Sequence, residues 1–199
     1  IPSAHNNGFE VDAVYLLTDG LTVGGNMSYT QSQYDARYTF FNQDDPRYPR
    51  KILGGDLNQD PCDMEESIRV LYCIEVDGLD LTGIPKWKAT GWASYKWNMD
   101  RGGLTVYGAL AYTGEYSTNE FNRPWDWVPA RERLDLRATY RADTGKWQAS
   151  IFIDNVMDKT YVRNSDLDSR LTGYGGNWSN RVIALTPRYA GVSFTYNYR

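Results

Sequence analysis

Apolar and polar residues alternate with a period of two along most of this chain, and that repeat decides which backbone can sort them. A strand sends successive side chains to opposite faces, whereas a helix needs a repeat near 3.6. In residues 8–17, Phe9, Val11, Ala13, Tyr15 and Leu17 share one face, with Glu10 and Asp12 on the other. Leu21, Val23 and Met27 then alternate with Thr22, Asn26, Ser28 and Thr30. Trp87, Ala89, Gly91, Ala93, Tyr95 and Trp97 oppose Lys86, Lys88, Thr90, Ser94 and Lys96, and Trp92 breaks the phase. Leu104, Val106, Leu110 and Tyr112 form the next apolar set. Leu134, Leu136, Ala138 and Tyr140 then turn away from Arg133, Asp135, Arg137, Thr139 and Arg141. Trp147, Ala149, Ile151 and Ile153 oppose Gln148, Ser150 and Asp154, and Val192, Phe194, Tyr196 and Tyr198 oppose Ser193, Thr195 and Asn197. Seven strands of an all-β, antiparallel fold are expected.

Their connections alternate in length. Thr18-Asp19-Gly20, Asp100-Arg101-Gly102 and Ala142-Asp143-Thr144-Gly145 are tight, turn-forming joints. Between them fall long segments at 35–85, 115–128 and 162–186. Short turns at one end, long loops at the other and strands of about 10 residues match the organisation of a transmembrane β-barrel. Charge follows the same division: residues 35–82 hold 11 Asp+Glu and 5 Lys+Arg, a net of −6 against −4 for the whole chain, so the net negative charge sits in one loop. Trp87, Tyr95, Trp97, Tyr112, Tyr140, Trp147 and Tyr198 lie on the apolar face near strand ends, where Tyr and Trp suit a membrane–water interface. The competing reading is a soluble ligand-binding sandwich or barrel, whose strands also alternate. It leaves the long loops without explanation, since hairpin loops usually run about 2–5 residues.

Composition narrows the chemistry. The net charge is −4, against the basic face expected for nucleic-acid binding. No apolar run approaches the roughly 20 residues of a membrane helix, and 15% aromatic residues argue against disorder. The one histidine, His5, falls before the first strand as read here, so a His-dependent outer-membrane hydrolase is disfavoured and no catalytic residue is assigned. Cys62 and Cys73 lack zinc-site spacing and have no further Cys or His to complete a site. In an acidic loop they suit a stapling disulfide; two free thiols are the alternative. Asp56, Asp60, Asp63, Glu65 and Glu66 lack EF-hand order, and charge runs are usually solvated, so neither a metal nor a cofactor is expected. Residues 1–20 carry no secretion signal, which suggests a mature chain or a fragment.

Three short motifs then fall in order. Asn155-Val156-Met157-Asp158-Lys159-Thr160-Tyr161 resembles the N-L-x-D-K-x-Y segment near the penultimate strand of TonB-dependent outer-membrane receptors. Pro187-Arg188-Tyr189-Ala190-Gly191, followed by Val192 to Tyr196, is similar to their final strand. Ile84-Pro85-Lys86-Trp87 resembles a P-K-W that opens an earlier one. The resemblance implies a 22-stranded barrel in the Gram-negative outer membrane, an N-terminal plug, and TonB-driven import of a scarce siderophore-, cobalamin- or saccharide-like ligand. Arg199 follows Tyr198 where the family ends on an aromatic residue. Because seven strands cannot close such a barrel, the chain is expected to be the C-terminal segment, 1–199, of a larger receptor without its plug and earlier strands.

With the last strand running toward the periplasm, as in that family, the long loops face outside. The partners are then a small-molecule ligand, membrane lipid or lipopolysaccharide, and the TonB complex through the plug. Aromatic and arginine residues in the loops suit an anionic or ring-bearing ligand. Phe40, Arg50, Arg123, Trp125, Trp127, Tyr174 and Trp178 are the candidates. Arg133, Asp135, Arg137 and Arg141 form a ladder on the inward face, expected to meet the plug or water.

Overall fold

The computed structural model describes residues 3–35, 39–41, 73–124, 126–160, 162–168, 179–184 and 186–198. The described elements are all strands: β1 (Ala4–Leu16), β2 (Leu21–Tyr34), β3 (Thr39–Phe41), β4 (Cys73–Glu75), β5 (Trp87–Met99), β6 (Gly102–Thr113) and β7 (Tyr116–Ser117). There follow β8 (Trp127–Val128), β9 (Arg131–Ala142), β10 (Trp147–Asp154), β11 (Val162–Asp168), β12 (Ser179–Ala184) and β13 (Tyr189–Tyr196). A single sheet of seven strands runs β1-β2-β5-β6-β9-β10-β13, each antiparallel to the next. These are the strands the alternation marks out.

Register carries one apolar face across the whole sheet. Tyr95 pairs with Val106, Val106 with Ala138, Ala138 with Ile151, and Ile151 with Val192. These residues look outward from the protein: Ile151 is 61% exposed and Val192 82%. Such exposure is stable only where the surrounding solvent is itself apolar.

Aromatic rings close this band at both ends. Phe9, Tyr29 and Trp87 cluster at the long-loop end, with Tyr29 and Trp87 centroids 4.7 Å apart. At the short-turn end, Tyr95 meets Trp97 at 4.3 Å and Tyr140 meets Trp147 at 5.2 Å. Trp147 and Phe194, then Tyr196 and Tyr198, continue that row. Ten residues of β5 separate Trp87 from Trp97, about 33 Å along a strand. With the usual tilt this corresponds to a band roughly 25 Å tall.

Three features depart from the sequence reading. β1 and β2 extend above the apolar band, through His5-Asn6-Asn7 and Gln31-Ser32-Gln33. Both faces are polar there, so the ladder continues after the alternation has faded. His5 therefore lies within β1, not outside the strands, and its Nδ1 meets the Asp35 carboxylate across the β1–β2 edge. The long loops also contain three ribbons, β3–β4, β7–β8 and β11–β12. The first two have strands of two or three residues, too short to show a repeat.

Buried apolar residues are few among those described. Apart from Ala142, they are Val76, Tyr116, Phe121 and Val128, gathered in the loops.

Candidate functional site: the long-loop rim and the inner wall

The returning limb of the first long loop is tied to the sheet by backbone hydrogen bonds. Tyr34 N–H donates to the Leu79 carbonyl at 3.1 Å, and Leu81 N–H to the Ser32 carbonyl at 3.0 Å. Asp80 pairs opposite Gln33 in an isolated bridge, and its carboxylate holds Lys86 at 2.9 Å. Asp80 also joins the second loop. Its N–H donates to Asn122 Oδ1 at 3.1 Å, while Asn122 Nδ2 donates to its carbonyl at 2.9 Å. Asn122 sits at a φ of 47°, a conformation asparagine tolerates better than most residues.

Within the β7–β8 loop, Arg123 is 5% exposed and Asp126 2%. Arg123 Nε and Nη2 donate to the Asp126 carboxylate at 2.9 and 3.2 Å, and the Arg123 backbone N–H does so at 3.0 Å. The guanidinium also lies 5.2 Å over Phe121. In this conformation Arg123 shapes the loop. Half-buried Trp127 donates its indole N–H to the Asn122 carbonyl at 3.1 Å, placing it beside Arg123. Phe40 lies in β3 opposite Ile74. Arg50, Trp125, Tyr174, Trp178 and Cys62 fall outside the described residues, as does the acidic run from Asp56 to Glu66. Cys73 lies opposite Phe41 in β4, and no described cysteine is a free thiol. No cluster of metal-ligating side chains forms among the described residues.

The inward face is a paired polar wall. Arg133 meets Asp135 at 2.8 Å and Asp154 at 3.8 Å. Thr139 and Ser150 hydroxyls meet at 2.9 Å, and Arg141 donates to Gln148 at 3.0 Å. Aromatic rings interrupt it. Trp92, the residue out of phase, lies 6.0 Å from Tyr107, and Arg137 lies 5.2 Å over Phe152, which is 5.6 Å from Tyr189. Two of these rings cover glycines. A Cβ on Gly24 would come within 2.5 Å of the Trp92 ring, and one on Gly191 within 2.6 Å of Phe152. Glycine opposite an aromatic ring lets the ring lie flat on the wall.

At the upper end of β10, Asn155 takes a φ of 52° and is 1% exposed. Its N–H donates to Asp135 at 2.9 Å, and its amide bridges the backbone of Lys159. Neither the Asn122–Asp80 clasp nor the Arg123–Asp126 pair could be read from the sequence as a contact. The available signals were Trp92, Tyr107 and Phe152, each a large ring at a position the alternation assigns to the polar face.

Apolar outside, polar inside, short turns at one rim and long, ribbon-bearing connections at the other: this wall defines a transmembrane β-barrel of the outer-membrane type. The family model for the TonB dependent receptor-like β-barrel matches residues 1–156, and the chain belongs to that family of transport receptors. No curated protein matches it. Among solved structures it is similar to the ferric yersiniabactin uptake receptor FyuA from Yersinia pestis, at 14% identity and a TM-score of 0.66, covering 96% of this chain and 23% of that one. It also resembles the siderophore receptor PiuA from Acinetobacter baumannii, at 18% identity and TM-score 0.63, covering 98% and 22%. BauA, the ferric preacinetobactin receptor of the same organism, matches at 18% and 0.60, covering 97% and 22%. At these identities the likeness is one of fold. The chain spans less than a quarter of the length of these receptors.

Proposed function

We propose that this chain is the C-terminal segment of an outer-membrane receptor that imports a scarce ligand, a ferric siderophore before a cobalamin or saccharide, by TonB-coupled transport. The observation that carries the reading is the outward apolar face, bounded by aromatic rows, on strands joined by short turns at one rim and long connections at the other. The similarity to siderophore receptors supports the choice of ligand class.

In this reading the long loops are extracellular and capture ligand, while lipid and lipopolysaccharide cover the outer face. TonB acts through a plug encoded upstream. The free backbone edges of β1 and β13 suit this, since an open sheet in lipid must find further strands. Cys62 and Cys73 staple the first loop on the oxidising side.

Two measurements test it. The native polypeptide, extracted from outer membranes, should have a mass several-fold above 22.8 kDa. The full-length receptor, in an iron-limited host with and without TonB, should accumulate a radiolabelled ferric chelate only when both proteins are present. No TonB-dependent accumulation of any ferric chelate, cobalamin or saccharide would overturn the transport reading.

A further inference from the structure

One row of the inward face crosses the wall on aromatic rings and a guanidinium where its neighbours carry Thr–Ser contacts and ion pairs. Tyr107 pairs with Arg137, Arg137 with Phe152, and Phe152 with Gly191. Trp92 adjoins Tyr107 diagonally and Tyr189 adjoins Phe152 diagonally, both within ring-contact distance. The five side chains come from β5, β6, β9, β10 and β13, a width of about 19 Å at usual strand spacing. They also climb. Trp92, Tyr107 and Arg137 lie near the middle of their strands, Phe152 two residues from the upper end of β10, and Tyr189 at the first position of β13. The belt therefore runs from the long-loop rim down to mid-wall.

Its chemistry is specific. Rings on an otherwise polar wall offer flat faces, and Gly24 and Gly191 let two of them lie down upon it. Arg137 holds its guanidinium over Phe152 and is itself exposed, so its second face and its N–H groups remain presented to the lumen. Lys88, Lys96, Arg133 and Arg141 share the inward face of β5 and β9, against Asp135 on β9 and Asp154 opposite Tyr189 on β10, both of which meet Arg133. A flat ring carrying negative charge gains both stacking and a charge-assisted hydrogen bond in such a place.

We propose that Trp92, Tyr107, Arg137, Phe152 and Tyr189 form a ligand track on the inner wall, a station below the loops for a chelate bearing phenolate or catecholate rings. This rests on the transport reading and adds to it a ligand chemistry and a path. Ligand captured at the rim would meet Tyr189 first and Arg137 next.

The test uses the full-length receptor in cells, comparing wild type with Arg137→Gln, Arg137→Lys and Phe152→Leu. Surface binding and TonB-dependent uptake are measured for a ferric catecholate and for a ring-free ferric hydroxamate. Heat-modifiable migration on gels verifies that each barrel is folded. The track predicts that Arg137→Gln and Phe152→Leu slow catecholate uptake by about ten-fold while binding changes less than about two-fold, and that Arg137→Lys recovers part of the loss. Unchanged catecholate uptake in folded variants overturns the track and leaves the transport reading standing. So does an equal loss for catecholate and hydroxamate, which would mark the belt as a seat for the plug. Wild type that transports only ring-free ligands overturns it as well. If wild type transports nothing, the transport reading itself fails.

Discussion

Asp158 grips Arg188 twice: its carboxylate accepts the Arg188 backbone N–H at 3.2 Å and pairs with the guanidinium at 3.2 Å. One residue belongs to the Asn155–Tyr161 motif and the other to the Pro187–Gly191 motif. The two short signatures are thus halves of one joint, closing the third long loop at the level where β10 ends and β13 begins.

That joint predicts unequal costs. Asp158 and Arg188 are both about half exposed, so Asp158→Ala should cost about 1 kcal/mol. Asn155 is buried, sits at positive φ, and bonds to Asp135 and Lys159. Asn155→Ala should cost about 2–4 kcal/mol. Urea unfolding of the purified receptor in detergent would rank them; equal losses would mean that the buried amide adds nothing.

Removing one partner of the Arg123–Asp126 pair strands a buried charge, at a cost of roughly 3–5 kcal/mol. That penalty should stay local. Asp126→Ala is expected to open the β7–β8 loop to protease while the barrel keeps its heat-modifiable migration. Replacing both residues by leucine should restore most of the protection. A double variant no better than the single one would contradict this.

The two faces of β13 should respond oppositely to the same substitution. Val192→Arg places a cation in the middle of the apolar face, where the expected cost is about 2–4 kcal/mol. Ser193→Arg, one residue on, points inward and should cost less than about 1 kcal/mol. Refolding into lipid vesicles across a denaturant series measures both.

Gly24 and Trp92 should be coupled. Gly24→Ala brings a Cβ to within 2.5 Å of the ring, so one of them must move. The expected loss is about 1–3 kcal/mol, and it should shrink in a Trp92→Ala background to the part owed to the Ala13 carbonyl, 3.0 Å from the added Cβ. A double-mutant cycle with no interaction energy would show that the ring tilts aside freely.

Most of the sheet was legible because its alternation is enforced by two solvents at once. From Phe9 to Ala13 and from Arg133 to Arg141, each side chain must suit either lipid or water, and a one-residue slip would exchange them. Legibility ended where that constraint did. Above the band, β1 at His5 and β2 at Gln33 have polar surroundings on both faces, so the sequence there carries no phase. In the loops, Asp80 and Asn122 meet across 42 residues through single hydrogen bonds, and no local pattern records such a partner. Arg123 was visible as a residue type but not as a contact: its partner is only three positions away, yet nothing in Arg123-Pro124-Trp125-Asp126 distinguishes a buried pair from a ligand-facing arginine.

The two-residue repeat also bears on how such a chain can travel. Most outward residues have polar or small neighbours, as Val11 lies between Glu10 and Asp12 and Leu134 between Arg133 and Asp135, so a strand read as a line of residues is far from uniformly oily; the mean hydropathy is −0.60. A bilayer that traps about 20 consecutive apolar residues as a helix finds nothing here to hold. The hydrophobicity is written in a form that becomes one surface only after the strands have paired. Until then no stretch of the chain carries the continuous apolar run by which a helical membrane protein would lodge.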